Sequence, residues 1–272
     1  MKRQINKSIF IIVAGLFLLT ACAEVPLTHR KGLRLLPNSE LISLSLQQYG
    51  EILKKSRLSA DQNRVGMVRS VGEKIARSAE AFLKESGRGN LLQNYKWEFN
   101  LIQDDKMVNA WCMPGGKVAV YTGILPYTRD ETGLAVVLGH EIAHAIADHG
   151  NERMSQALLA NMGGTALSVA VSKKSAQTRE LFITAFGVGT GVGFLLPYSR
   201  LHENEADRIG LTLMARAGYN PNEAVPFWSR MNAKKEARPP EFLSTHPAPE
   251  SRMSNIRRYI PEAMPYYQGA KK

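Results

Sequence analysis

The chain has 272 residues, 44% of them hydrophobic and 22% charged, an ordinary globular balance that can bury one good-sized core. A formal charge of +11 fits a face turned toward anionic lipid, but no nucleic-acid-binding motif is present, and nucleic acid is not an expected partner. With only two cysteines, Cys22 and Cys112, a disulfide framework is excluded.

Lys2, Arg3 and Lys7 precede the apolar run Ile9–Leu19, which has the length of a secretory signal and is short for a membrane span. Leu19-Thr20-Ala21-Cys22 resembles a bacterial lipobox. The resemblance implies cleavage of residues 1–21 and lipid on Cys22, and Ala23, where an aspartate would retain the protein at the inner membrane, implies the outer membrane. With Cys22 lipidated, Cys112 has no partner and is expected to be buried beside Trp111. Residues 22–37, with Pro26, Gly32 and Pro37 and no period, read as a tether.

Residues 38–94 read as helices packed on the core. One is capped by Asn38 or Ser39 and runs to about Lys55. A second begins at the capping-box spacing Ser59–Gln62 and continues the stripe Val65, Val68, Val71, Ile75, Ala79 and Phe82. Alternation of Trp97, Phe99 and Leu101 predicts a strand over Tyr95–Ile102; Met107–Met113 and Lys117–Thr122 make a second and third, with a turn at Pro114-Gly115-Gly116. A strand edge near the site would bind an extended peptide by backbone pairing.

The stretch Ala135–His149 carries His140-Glu141-x-x-His144 in a strongly apolar helix capped by Asp130 or Thr132. Positions four apart share a helical face, so both imidazoles can reach one tetrahedral zinc ion, with Glu141 beside them as base for a hydrolytic water. Two histidines leave room for a third protein ligand. Downstream, in Tyr198–Leu211, Glu203 and Asp207 share a face and Glu205 points roughly the other way. Glu203 is assigned to the metal and Asp207 to the free ring N–H of a ligand histidine. Between these motifs, Met154–Val171 and Leu181–Pro197 read as close-packed helices bordering the cleft, placed to touch membrane or substrate. Asn220 or Asn222 starts a further helix through Trp228. His246-Pro247 then forms an extended bend able to carry an imidazole toward the metal.

H-E-I-A-H followed by S-R-L-H-E-N-E-A-D resembles the gluzincin-type zinc metallopeptidase family of HtpX, BepA, LoiP and the CAAX-prenyl endopeptidases, peptidase family forty-eight of the metallo class. Asn109–Thr122 and Ser244–Arg252 agree with it, and the likeness spans roughly Tyr95 to Ile256. Trp111-Cys112 departs from the pattern, which bears on substrate preference. The resemblance implies a mainly α fold with a small β-sheet (α+β), a zinc peptidase domain over 95–260 and a tail at 261–272. It implies one Zn²⁺ on His140, His144 and Glu203, Glu141 as general base, Asp207 in support, and Asn109 on the substrate side. For His246 it implies either oxyanion stabilisation or filling of the fourth zinc position, with Arg252 bracing that loop. The function implied is a lipid-anchored, periplasm-facing endopeptidase acting on unfolded or misassembled envelope proteins. The alternative is a chaperone-like outer-membrane assembly factor with a gated zinc site.

Overall fold

The computed structural model describes residues 22–162, 176–186, 199–233, 240–247 and 250–270. The stretch expected as a leader (1–21), Gly163-Gly164, Lys173-Lys174, the glycine-rich run at 187–193 and the charged stretch at 234–239 lie outside them.

A three-stranded sheet, β3 (Glu98–Ile102), β4 (Ala110–Met113) and β5 (Lys117–Tyr121), has the order β3-β5-β4. β4 and β5 form the expected hairpin, closed by Gly115 and Gly116 at φ +81 and +78, where a side chain would be strained. β3 pairs with β5 in parallel, Phe99 opposite Val118, so the strand nearest in sequence to β3 lies on the far edge.

Successive strand residues point to opposite faces, and helices cover both. Trp111, Met113, Ala119 and Tyr121 face Leu41, Leu44 and Tyr49 of α1 (Asn38–Lys55). The same layer contains Met154 and Leu158 of α5 (His149–Met162) and Phe182 of α6 (Ala176–Ala185). Ala110, Cys112, Val118 and Val120 face α2 (Gln62–Glu85) and α4 (Glu131–Ile146). The predicted stripe on α2 is its buried face from Val68 to Phe82. Its cap is Asp61, whose carboxylate accepts from the Asn63 and Arg64 amides, and not the capping-box serine. α1 begins after Pro37 with no side-chain cap. Among the described residues no helix is long and apolar enough to cross a membrane.

Short α3 (Leu125–Thr128) leads into α4, whose cap is Asp130, accepting from the Gly133 amide at 2.9 Å. α4 crosses α7 (Arg200–Arg216) at a point with no side chain on either helix. A Cβ on Gly139 would lie 2.9 Å from the Gly210 carbonyl oxygen, and one on Gly210 would lie 2.9 Å from the His140 amide nitrogen. Gly139 precedes His140, and Gly210 lies two turns beyond Glu203 on the same face, so this contact sets how near the two metal-binding stretches come. α8 (Ala224–Ala233), α9 (Glu241–Thr245) and α10 (Glu250–Ala270) complete the layer. Asn220 caps the short turn that leads into α8. The segment expected as a tail from 261 continues α10, with Ala263 buried.

Residues 22–37 are not a free spacer. β1 (Cys22–Glu24) and β2 (Lys31–Leu33) pair antiparallel, Val25 is fully buried, and Leu36 joins the core over α1. Their anchors are charged. Arg30 binds Glu152 Oε1 and Oε2 at 2.9 and 2.8 Å and Glu205 Oε1 and Oε2 at 3.0 and 2.9 Å. Arg34 pairs with Asp148 at 3.3 Å.

Gly210→Ala is expected to overpack the α4–α7 crossing and destabilise the protein by about 1–3 kcal/mol, measured by denaturant unfolding. A second expectation concerns acid. Although burial favours its neutral form, His202 and Arg30 hold the Glu152 carboxyl down at about 2. A depressed carboxyl stabilises the fold fully above its ordinary value of 4.5 and loses that contribution as pH falls toward 2. The melting temperature should therefore drop between those values, and the drop should be smaller in Glu152→Gln.

Candidate active site

Four buried groups converge between α4, α7 and the end of α9: His140, His144, Glu203 and His246, with one ligand atom from each within 4.8 Å of the others. His140 Nε2 lies 3.0 Å from His144 Nε2 and 3.2 Å from His246 Nδ1. Glu203 Oε1 lies 3.0 Å from His246 Nδ1 and 3.3 Å from His144 Nε2. A tetrahedron of ligands at about 2.0–2.1 Å from an ion has edges of about 3.3–3.4 Å. Four of the cluster's six edges come close to those values, and its donor set, three imidazoles and a carboxylate, suits zinc.

The charges tell the same story. Burial alone would lower the pKa of His140, yet Glu203 and Asp207 raise it to about 9, so the site holds a cation at neutral pH even as a proton. Burial would raise Glu203, but Arg252, His246 and His140 keep it well below the usual carboxylate range. His144 is pushed well down by burial and stays neutral, as a ligand must. Glu141, fixed on α4 beside His140, is driven up to about 8, chiefly by burial. Its Oε1 lies 3.3 Å from His246 Nε2. A nearby dication favours the ionised form that a base requires.

His140 has its other ring nitrogen, Nδ1, 3.1 Å from Asp207 Oδ1. Asp207 is in turn gripped by Arg252, whose Nε and Nη2 reach its two oxygens at 2.7 and 2.8 Å. The same guanidinium reaches Glu203 Oε2 at 2.7 Å and donates to the carbonyls of His246 and Pro247 at 3.2 Å. Its carbon sits 3.6 Å from the Trp228 ring centroid. An arginine at the start of α10 thereby orients a carboxylate, an imidazole and the loop bearing His246. His246 is also held from its own side, because the Phe242 amide donates to the Val108 carbonyl at 3.0 Å just before β4.

Other candidates fall outside the four-residue cluster. Asn109 is buried; its Oδ1 accepts from the Ala110 amide at 2.9 Å, and its Nδ2 has no hydrogen-bond partner among the described residues. Cys112 is buried with a thiol pushed well up, so it is inert. Cys22 opens β1, far in sequence from the cluster. Sequence reasoning missed Trp228 as the face on which Arg252 rests, and it missed the buried set His149, Glu152, His202 and Glu205 on the other side of His144. A further histidine five residues beyond His144 was the one signal available in the sequence.

Comparison with known proteins identifies the family. The model of "Peptidase family M48" matches residues 64–260. The chain is 38% identical over 191 residues to mitochondrial metalloendopeptidase OMA1 of Schizosaccharomyces pombe, covering 70% of this chain and 53% of that protein. It is 36% identical over 196 residues to the same-named protein of Saccharomyces cerevisiae, covering 69% and 54%. It is 31% identical over 174 residues to the beta-barrel assembly-enhancing protease of Escherichia coli, covering 62% and 35%. The chain thus spans about half the length of the first two relatives or less of the third. Peptidases of the matched family use zinc, for which the four-residue cluster offers one site. With the matched region covering most of its length and enclosing every motif around the cluster but the N-terminal hairpin, the chain belongs to peptidase family M48.

Proposed function

We propose that this chain is a zinc-dependent endopeptidase in which His140, His144 and Glu203 hold one ion and Glu141 moves the proton. The observation carrying this reading is the convergence of those three donors, buried and at near-tetrahedral spacing, beside a carboxyl one residue along the same helix. When bound, zinc polarises the scissile carbonyl and acidifies water. Glu141 takes a proton from the attacking water and returns it to the leaving amine. Asp207 and Arg252 keep His140 and Glu203 oriented. Asn109 donates to the substrate backbone, a role supported by its buried, unpartnered Nδ2.

We take its substrates to be unfolded or misassembled envelope proteins; the Escherichia coli relative is named for enhancing beta-barrel assembly, whereas the two yeast relatives carry mitochondrial names. The basic start, short apolar run and lipobox-like Leu19-Thr20-Ala21-Cys22 favour a lipid anchor on Cys22 at the bacterial outer membrane, facing the periplasm.

A second reading, an assembly factor with a gated site, is favoured by one observation: His246 Nδ1 stands at the fourth corner of the cluster, where substrate or water would otherwise enter. The two readings meet if His246 gates a working protease.

Glu141→Gln should keep one zinc per chain while casein cleavage falls by about 10²–10⁴-fold, the usual worth of a general base; full activity in that variant would refute the assignment. Chelation should abolish cleavage and added zinc restore it. His246→Ala separates gate from catalyst: a gate predicts several-fold faster cleavage, an oxyanion donor predicts slower cleavage.

A further inference from the structure

Each histidine on α4 is backed by hydrogen bonds that end on an arginine. For His140 the path is Asp207 and then Arg252. For His144 the path runs the other way, to the N-terminal hairpin. His144 turns Nε2 to the cluster, and its Nδ1 lies 2.9 Å from Nδ1 of His149. His149 Nε2 lies 3.2 Å from Glu205 Oε2. Glu205 accepts from Thr28 Oγ1 at 2.6 Å and from Arg30 Nε at 2.9 and 3.0 Å. The other nitrogens of Arg30 bind Glu152, whose Oε2 is 3.2 Å from His202 Nε2. His202 stacks on His149 with ring centroids 4.5 Å apart. His149 is fully buried, and Glu205 is 4% exposed.

Ligand chemistry sets the direction of this path. A metal-binding Nε2 must present a lone pair, so the ring hydrogen of His144 sits on Nδ1 and is donated. His149 can accept it only at a bare Nδ1, which puts its own hydrogen on Nε2, facing Glu205. Glu205 must then be an ionised acceptor, and in this buried place its charge has to be paired. The cation that pairs it is Arg30, from a segment 175 residues earlier in the chain. The two carboxylates of this set are already taken up by the guanidinium fork, so the set is a relay and not a second metal site.

We propose that Arg30 is a positioning residue of the metal centre: through Glu205 and His149 it fixes the tautomer and ring orientation of His144. The N-terminal hairpin is therefore part of the metal site. This rests on His144 being a zinc ligand, and the test keeps the two ideas apart.

The test follows zinc release from the purified full chain into a chelator. Groups that orient ligands change metal affinity by about 10–100-fold, so Arg30→Gln should release zinc about tenfold faster than the wild type. Arg30→Lys keeps the charge that docks the hairpin but loses the fork, and should fold normally while releasing zinc about threefold faster. His149→Phe should release zinc at least as fast as Arg30→Gln, and adding Arg30→Gln to it should change the rate less than twofold. In the cobalt-substituted protein, the visible band should shift in Arg30→Gln and Arg30→Lys.

Stoichiometric zinc in the wild type, lost in His144→Ala, leaves the ligand reading standing. Given that, release from Arg30→Gln or Arg30→Lys at the wild-type rate overturns the role of Arg30. So does an undiminished effect of Arg30→Gln in the His149→Phe background, which would mean that the hairpin acts by another route. A wild type without stoichiometric zinc overturns both.

Discussion

Burying several ionisable side chains in one apolar place is the constraint on which this structure turns. His140, His144, Glu203, Asp207, His246 and Arg252 are all at most 5% exposed, and each carboxylate faces a guanidinium or an imidazole. Desolvating such charges costs several kcal/mol per ion, and truncating one partner of a buried pair costs about 3–5 kcal/mol. The site therefore stands or falls as a set. It is arranged so that the remaining want, a cation among three imidazoles and a carboxylate, is met by a proton on His140 or by a metal.

Geometry makes that set possible. Helices carrying Cβ atoms at the crossing could not bring His140 and Glu203 within 3.4 Å of each other without displacing backbone. Gly139 and Gly210 remove the obstacle, at the cost in helix propensity that glycine carries. The surrounding layer then has little freedom. Trp228 stacks on Phe242 and faces the guanidinium of Arg252, while Phe242 lies against His246, so one aromatic stack sets the height of the guanidinium and the imidazole.

Both ends of the described chain close on the same centre. Arg252 at the start of the last helix binds Asp207, which faces His140, and Arg30 in the first hairpin binds Glu205, which faces His149 beside His144. The loop with His246 is tied to the approach of β4 through Phe242 and Val108 and to α10 through Arg252. The position of His246 at the fourth corner of the cluster is thus fixed from two elements at once.

Much of this was legible in the residues because the relevant geometry is local. The i, i+4 relation of His140 to His144 and of Glu203 to Asp207 follows from the helical repeat alone, and so does the buried stripe of α2; the alternation in β3 follows from the two-residue repeat of a strand. The nearby glycines made the β4–β5 turn readable for the same reason. Tertiary structure alone decided the parallel pairing of β3 with β5, the docking of residues 22–37 that read as a spacer, and the burial of Glu205, which a helical wheel placed only as turned away from Glu203. It also decided which of the 35 lysines and arginines meet the buried carboxylates of this region: Arg30 meets Glu205, and Arg252 meets Asp207 and Glu203. Charge carries no period, and a contact spanning 175 residues leaves no trace in the spacing of its neighbours; the packed fold makes those pairings, because an unpaired carboxylate is not tolerated there.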